Sequence, residues 1–146
     1  MCTVTFLPKG KTSYILTSNR DETPKRAALT PMAYTVHGKE VFFPKDPLAG
    51  GTWIATDKKQ FTLCLLNGAF EKHQHQPPYK LSRGIMLLDF FKYNNAQSFI
   101  DQYDFKGIEP FTLILIEDNG NLSATELVWD EVKVHVRHLD VTQPHI

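Results

Sequence analysis

The spacing of hydrophobic positions changes once along this chain and then changes back. Residues 2–8 (CTVTFLP) and 13–18 (SYILTS) are rich in β-branched and aromatic side chains, so each reads as a strand, with Lys9-Gly10-Lys11 as the turn between them. A polar, proline-containing loop, 19–31 (NRDETPKRAALTP), follows, and then a short strand at 41–44 (VFFP). Asp46 to Gly51 form another loop, and residues 52–56 (TWIAT) and 61–67 (FTLCLLN) a second hairpin around DKKQ. After the linker AFEKHQHQPPYK the period becomes helical. Ile85, Leu88 and Phe91 recur on one face from Ser82, a good N-cap residue, and 96–104 (AQSFIDQYD) reads as a second, shorter helix. Residues 110–118 (PFTLILIED) are apolar almost throughout, which predicts a strand buried on both faces. Segments 119–130 and 132–140 complete a meander that turns at Asn119-Gly120. Strands, then helices, then strands predict an α+β domain with a largely antiparallel sheet and its helices on one face.

Composition narrows the function classes. The 146 residues favour one domain with one real core, and 42% hydrophobic with 22% charged residues is ordinary for a globular chain. Lys+Arg and Asp+Glu balance at 16 each, so no basic surplus exists to neutralise phosphates, and no nucleic-acid partner is expected. No apolar run is long enough to span a bilayer, and no charged segment followed by a long apolar one marks a signal peptide. Two cysteines, Cys2 and Cys64, make no disulfide framework. The expectation is a cytoplasmic protein in a reducing compartment, with neither metal nor cofactor.

The two hairpins bring chemistry together. A first turn centred near Gly10–Lys11 places Cys2 opposite Asn19, with Arg20 and Asp21 alongside, at the roughly 4.5–5.5 Å spacing of facing residues. A cation beside a thiol favours the thiolate. A carboxylate beside a free α-amine can hold and orient it. A second turn centred between Lys58 and Lys59 brings Gly50–Gly51 towards Asn67–Gly68; glycine lets a backbone approach a ligand, and an Asn amide can serve as an oxyanion donor. Asn-Gly at a strand end is also an ordinary turn. Removal of Met1 would leave Cys2 with both a thiol and an α-amine, whose reference pKa values are about 8.5 and 7.7–8.0. The amine can then act as general base for its own side chain, and the reaction class is acyl transfer.

Other polar features have plainer readings. Cys64 lies in an apolar run and reads as core. His73 and His75 sit in a polar linker without further ligands, which reads as a solvated loop, and Lys25–Arg26 reads as a solvated charge pair. His135 and His138 read as exposed positions of a half-buried strand. Trp53 can stack on a substrate or anchor the core, and Arg20–Asp21 can be a structural salt bridge.

The set MCTVTF, SNRDE, GGTWIA, LLNG and LSRG, in this order, resembles the NRDE family, the transport and Golgi organisation protein 2 family, named for the motif that is Asn19-Arg20-Asp21-Glu22 here. The resemblance implies a relation to N-terminal-nucleophile (Ntn) hydrolases, with their layered αββα fold, and to cysteine amide hydrolases of the penicillin V acylase and bile salt hydrolase type. It implies Cys2 as nucleophile and general-base carrier, Arg20 as thiolate or carbonyl partner, Asp21 as α-amine anchor and Asn67 as oxyanion donor. Asn19, Glu22, Gly50, Gly51 and Trp53 would bind substrate. Those hydrolases separate the Arg and Asp by two residues. Here they are adjacent, and adjacent strand residues face opposite sides, so Asp21 or Glu22 is the anchor. Family members are longer, so residues 1–146 are expected to form a single Ntn-like domain lacking its C-terminal part. The activity implied is hydrolysis of a non-peptide C–N bond through a Cys2 acyl-enzyme on a small amide. The alternative is a non-catalytic protein that handles a lipid or small cofactor, with a role in secretory organisation in eukaryotic relatives.

Overall fold

The computed structural model describes residues 2–23 and 26–146. Strands β1 (Thr3–Pro8) and β2 (Tyr14–Asn19) form a two-stranded sheet of their own. Strands β3 (Met32–Val36), β4 (Lys39–Phe43), β5 (Ile54–Thr56), β6 (Phe61–Asn67), β7 (Phe111–Asp118), β8 (Leu122–Trp129) and β9 (Val134–Leu139) form one seven-stranded antiparallel sheet in chain order. Helices α1 (Arg83–Asp89) and α2 (Ala96–Gln102) lie between β6 and β7, with a 3-10 turn at Phe90–Lys92. The expected α+β class with a mostly antiparallel sheet is what the chain adopts.

Alternation along the central strands builds two cores, one on each face. Leu63, Leu65, Leu113 and Leu115 point to one face, where Met86, Leu87, Phe90, Phe91 and Phe99 from the helical segment cover them. Phe90 is the hub, meeting Phe61 and Phe99 edge-on at ring-centroid distances of 5.0 and 5.3 Å. Cys64, Ile114 and Ile116 point the other way and pack on Phe6, with Val4, Tyr14 and Leu16 of the hairpin beside them. The uninterrupted apolar run of β7 is therefore buried on both faces, as its sequence predicts. Cys64 is fully buried, and burial pushes its thiol pKa up, as expected of a core cysteine.

Both hairpin registers differ from expectation by one residue. Thr3 pairs with Asn19 and Pro8 with Tyr14, so the loop runs from Lys9 to Ser13 and centres on Lys11. It closes through Lys9 N–H to Ser13 O at 2.8 Å. Cys2 consequently stands one step outside β1, not opposite Asn19 within it. In the second hairpin Thr56 pairs with Thr62. The Asp57 carboxylate accepts the N–H groups of Lys59, Gln60 and Phe61 at 2.8–3.0 Å, so the five-residue loop centres on Lys59.

Three other differences have local causes. The β3–β4 hairpin was not expected before residue 41; its turn is His37-Gly38, both at positive φ (48° and 78°), a His-Gly pair in place of the usual Asn-Gly. The helix starting at Ser82 is capped as predicted, the Ser82 hydroxyl accepting Ile85 N–H at 3.3 Å, but it tightens into the 3-10 turn after Asp89. The second helix begins behind an Asn95 cap and ends at Gln102, before Tyr103. The turn at Asn119-Gly120 forms as expected, with Gly120 at φ 98°. His138 is exposed and His135 half-buried.

Candidate functional site

One end of the layered structure collects several chain reversals: the start of β1, the end of β2, the approach to β5, the end of β6 and the start of α1. They enclose a cavity of about 450 Å³. Its wall includes Cys2, Arg20, Asp21 and Glu22 from the first hairpin, and Gly51, Trp53 and Asn67 from the second. Asn19 and Gly50 lie outside the lining. Asn19 works from behind: its side-chain carbonyl accepts Thr3 N–H at 2.7 Å and fixes how the chain enters β1 from Cys2. Met1 lies outside the described residues.

Arg20 leaves β2 into a fixed network. One Nη donates to Asp46 Oδ2 at 2.9 Å, the other to the Arg26 carbonyl at 2.6 Å, and the guanidinium lies 4.9 Å over the Trp53 ring. Arg26 joins the same carboxylate at 2.8 Å and pairs with Glu22 at 2.8 Å. Arg26 is therefore part of the site network; Lys25, the other half of the expected pair, lies outside the described residues. Arg20 forms its short ion pair with Asp46, not with Asp21. Trp53 packs against the main core, as the core-anchor reading has it, while its ring carries Arg20 on the cavity side.

Asp46 organises this corner. Oδ1 accepts the N–H groups of Leu48 and Ala49 at 3.0 and 3.2 Å, and Oδ2 takes the two arginines. Burial raises its pKa, but those hydrogen bonds and the positive charges of Arg26 and Arg20 outweigh burial and hold the carboxyl below its ordinary value. Glu109 behaves alike. Burial raises it, while His73 and His75, both on Oε1 at 2.8 and 3.0 Å, and Arg83 on Oε2 at 2.9 Å, bring it below the usual range. A depressed carboxyl contributes stability that is fully present above its unfolded pKa and is lost as pH falls through the folded one. Melting temperature is therefore expected to fall on acidification below about pH 4, near the reference carboxylate values. Asp46→Asn should lie below wild type at pH 6 and approach it at pH 3; thermal melts across that range check both.

The glycines hold backbone against backbone. A Cβ on Gly51 would lie 2.4 Å from the Gly84 carbonyl carbon, and one on Gly84 would lie 2.8 Å from the Thr52 carbonyl oxygen. The close approach expected at Gly50–Gly51 is thus made to the first turn of α1. Thr52, buried beside it, donates its hydroxyl to Pro44 O at 2.7 Å and its N–H to Gly84 O at 3.4 Å. This contact sets where Arg83 stands relative to Trp53.

A family model, transport and Golgi organisation 2, matches residues 1–138. The chain belongs to the transport and Golgi organisation 2 family. No curated protein and no solved structure shows a significant match to it.

In this member of the transport and Golgi organisation 2 family, the cavity also holds groups the sequence reading did not assign. Asp46 had a signal, since an Asp followed by Pro-Leu-Ala-Gly-Gly is a side-chain-closed turn. Arg83 sits inside the LSRG motif, at the first position of a capped helix. Glu109 had none; it reaches the cavity because Trp129 Nε1–H donates to Ile108 O at 2.9 Å and pins the loop before β7. The His73–His75 linker is largely exposed, as expected of a solvated loop, but both imidazoles rest on Glu109. His73 is largely covered on Glu109, and His75 joins the cavity wall with Tyr79, their rings 5.3 Å apart. Among the described residues no group of three or more His, Cys, Asp or Glu could hold a metal ion, and no helix is long and apolar enough to cross a membrane.

Proposed function

We propose that the chain is an N-terminal-nucleophile cysteine hydrolase that cleaves a small amide within an Ntn-like layered domain. The observation that carries this reading is the convergence of Cys2, Arg20, Asp21 and Asn67, from three separate strand ends, on one cavity. With Met1 removed, the Cys2 α-amine takes the thiol proton, and the thiolate attacks the amide carbonyl. Asn67 faces the oxyanion, Asp21 anchors the α-ammonium, and Arg20 on Trp53 receives the carbonyl side of the substrate. The ammonium returns its proton to the departing amine as the C–N bond breaks. Water then attacks the thioester, releasing the acid and restoring the thiol. Glu22 pairs with Arg26 at 2.8 Å on the same wall. Three arginines and four carboxylates on the wall give charged groups that a polar amide can meet.

The test is intact-mass spectrometry of the protein as made in cells, followed by turnover of a panel of small linear and cyclic amides. The expected result is a chain beginning at Cys2 and hydrolysis that depends on it. A chain that keeps Met1 and turns over no amide would leave the cavity as a binding site, the non-catalytic reading.

A further inference from the structure

Both ends of the linker between β6 and α1 are fixed to one short loop. Gly68 N–H donates to Pro110 O at 3.1 Å, and Lys80 N–H donates to Gly107 O at 2.8 Å. That loop, before β7, is itself pinned by Trp129. Phe70, just past the first anchor, rests edge-on against His135 of β9, ring centroids 4.8 Å apart. Residues 71–79 then run outside any helix or strand, and all but His73 and Tyr79 are exposed. Among the described residues, the polar contacts that tie 71–79 to the rest of the chain both end on one atom, Glu109 Oε1. His73 Nε2 reaches it at 2.8 Å and His75 Nδ1 at 3.0 Å. Within the strap, Gln76 N–H donates to the Tyr79 hydroxyl at 2.8 Å, and the rings of His75 and Tyr79 lie 5.3 Å apart.

This strap stands at the opening of the Cys2 cavity. His75 and Tyr79 line the cavity, yet the His75 side chain is 68% exposed, and a side chain that does both belongs to the rim. Glu109 lines the cavity too. Its Oε1 holds the strap and its Oε2 holds Arg83 of α1 at 2.9 Å, so one carboxylate joins rim to wall. Hydrogen bonds to an ionised carboxylate are stronger than neutral ones. A segment with few buried contacts and no ladder bonds nevertheless opens locally at low cost. The two imidazoles therefore act as a latch on a segment that is otherwise loosely held.

We propose that residues 71–79 form a strap that limits the size of what reaches Cys2, latched over the cavity mouth by His73 and His75 on Glu109. With the latch made, the rim admits small molecules. With it undone, the strap swings out between its anchors at Gly68 and Lys80, and a bulky molecule enters. The inference itself uses only the cavity and the place of Cys2 in its wall. Its consequence for substrate choice rests on the hydrolase reading, where His73, His75 and Glu109 become positioning residues that confine the substrate to small amides.

The experiment compares the rates at which iodoacetamide and the bulkier fluorescein maleimide label Cys2 in the full chain at one pH, read by peptide mapping, with circular-dichroism melts as fold control. The bulky-to-small ratio, divided by the same ratio for the chain unfolded in urea, cancels the intrinsic reactivity of the thiol. In wild type the normalised ratio is expected at or below about 0.1, the population of a minor open state. The His73→Ala/His75→Ala chain should raise it about tenfold, with the iodoacetamide rate near wild type, and should be cut faster by trypsin after Lys72. The His73→Gln/His75→Asn chain, whose amide N–H groups can stand where Nε2 and Nδ1 stood, should recover most of the wild-type ratio. A folded double-alanine chain with the wild-type ratio overturns the proposal. Should that chain not fold, a wild-type ratio equal to the urea value overturns it equally. Labelling needs no amide to be cleaved. A latch-dependent ratio in a chain without amide turnover therefore upholds the strap and counts against the hydrolase reading alone.

Discussion

Cys2→Ala should abolish amide turnover while leaving the fold intact. The expected loss is at least about 10⁴-fold in kcat, because removing a covalent nucleophile leaves only oxyanion and binding contributions to catalysis. The same substitution should cost under about 1 kcal/mol of stability, since Cys2 is half-buried and precedes β1, outside its ladder. Turnover of a responsive amide and thermal melts on the two chains test the two halves together. Full activity in the alanine chain would end the nucleophile reading. It would leave Arg20 stacked on Trp53 and clamped to Asp46 as the floor of a binding pocket. A loss of both activity and fold would mean that the thiol packs structurally, which its half-buried place beside Asn19 and Thr3 does not suggest.

The strands of the central sheet were legible because their side-chain pattern is dictated by burial. β7 is apolar at every position that faces either core, and the run shows it. The registers were less legible, because they depend on loop details that carry little hydrophobic signal. Gly10 at φ 97° and the Asp57 carboxylate each support a five-residue loop, one residue longer than hydrophobic matching suggests. The slip mattered less at the site than a slip within a strand would. Cys2, Arg20 and Asn67 stand at strand ends, where the backbone leaves the pleat and alternation no longer decides the face. Arg20 and Asp21 can thus line one cavity although they are neighbours in sequence. The parts not legible were those assembled by distant segments. Glu109 reaches the site through Trp129 and the loop it pins, and His73 and His75 reach it through Glu109. No local composition encodes such a chain of contacts.

Gly51→Ala is expected to cause the largest stability loss of any glycine-to-alanine change in this protein, and to change the site as it does so. The obstacle is space, not backbone conformation: the new Cβ would meet Gly84 C at 2.4 Å, Ile85 N at 2.7 Å and Gly84 O at 2.8 Å, all backbone atoms that no rotamer can move. The α1 N-terminus must therefore retreat from the 46–51 loop. Overpacking of this kind costs about 3 kcal/mol, and at about 2–4 °C per kcal/mol for a chain of this size the melting temperature should fall by roughly 6–12 °C. Gly10→Ala is the fair comparison. Gly10 sits at φ 97° with nothing within 4 Å of its Cβ position, so only conformational strain of about 1–2 kcal/mol opposes the methyl. The retreat of α1 carries Arg83 with it, while Trp53 and Arg20 stay with the loop and β5. A Gly51→Ala protein that melts with wild type would show that the 46–51 loop, not α1, gives way. In that case the Gly51–Gly84 contact would not be what places Arg83 relative to Trp53.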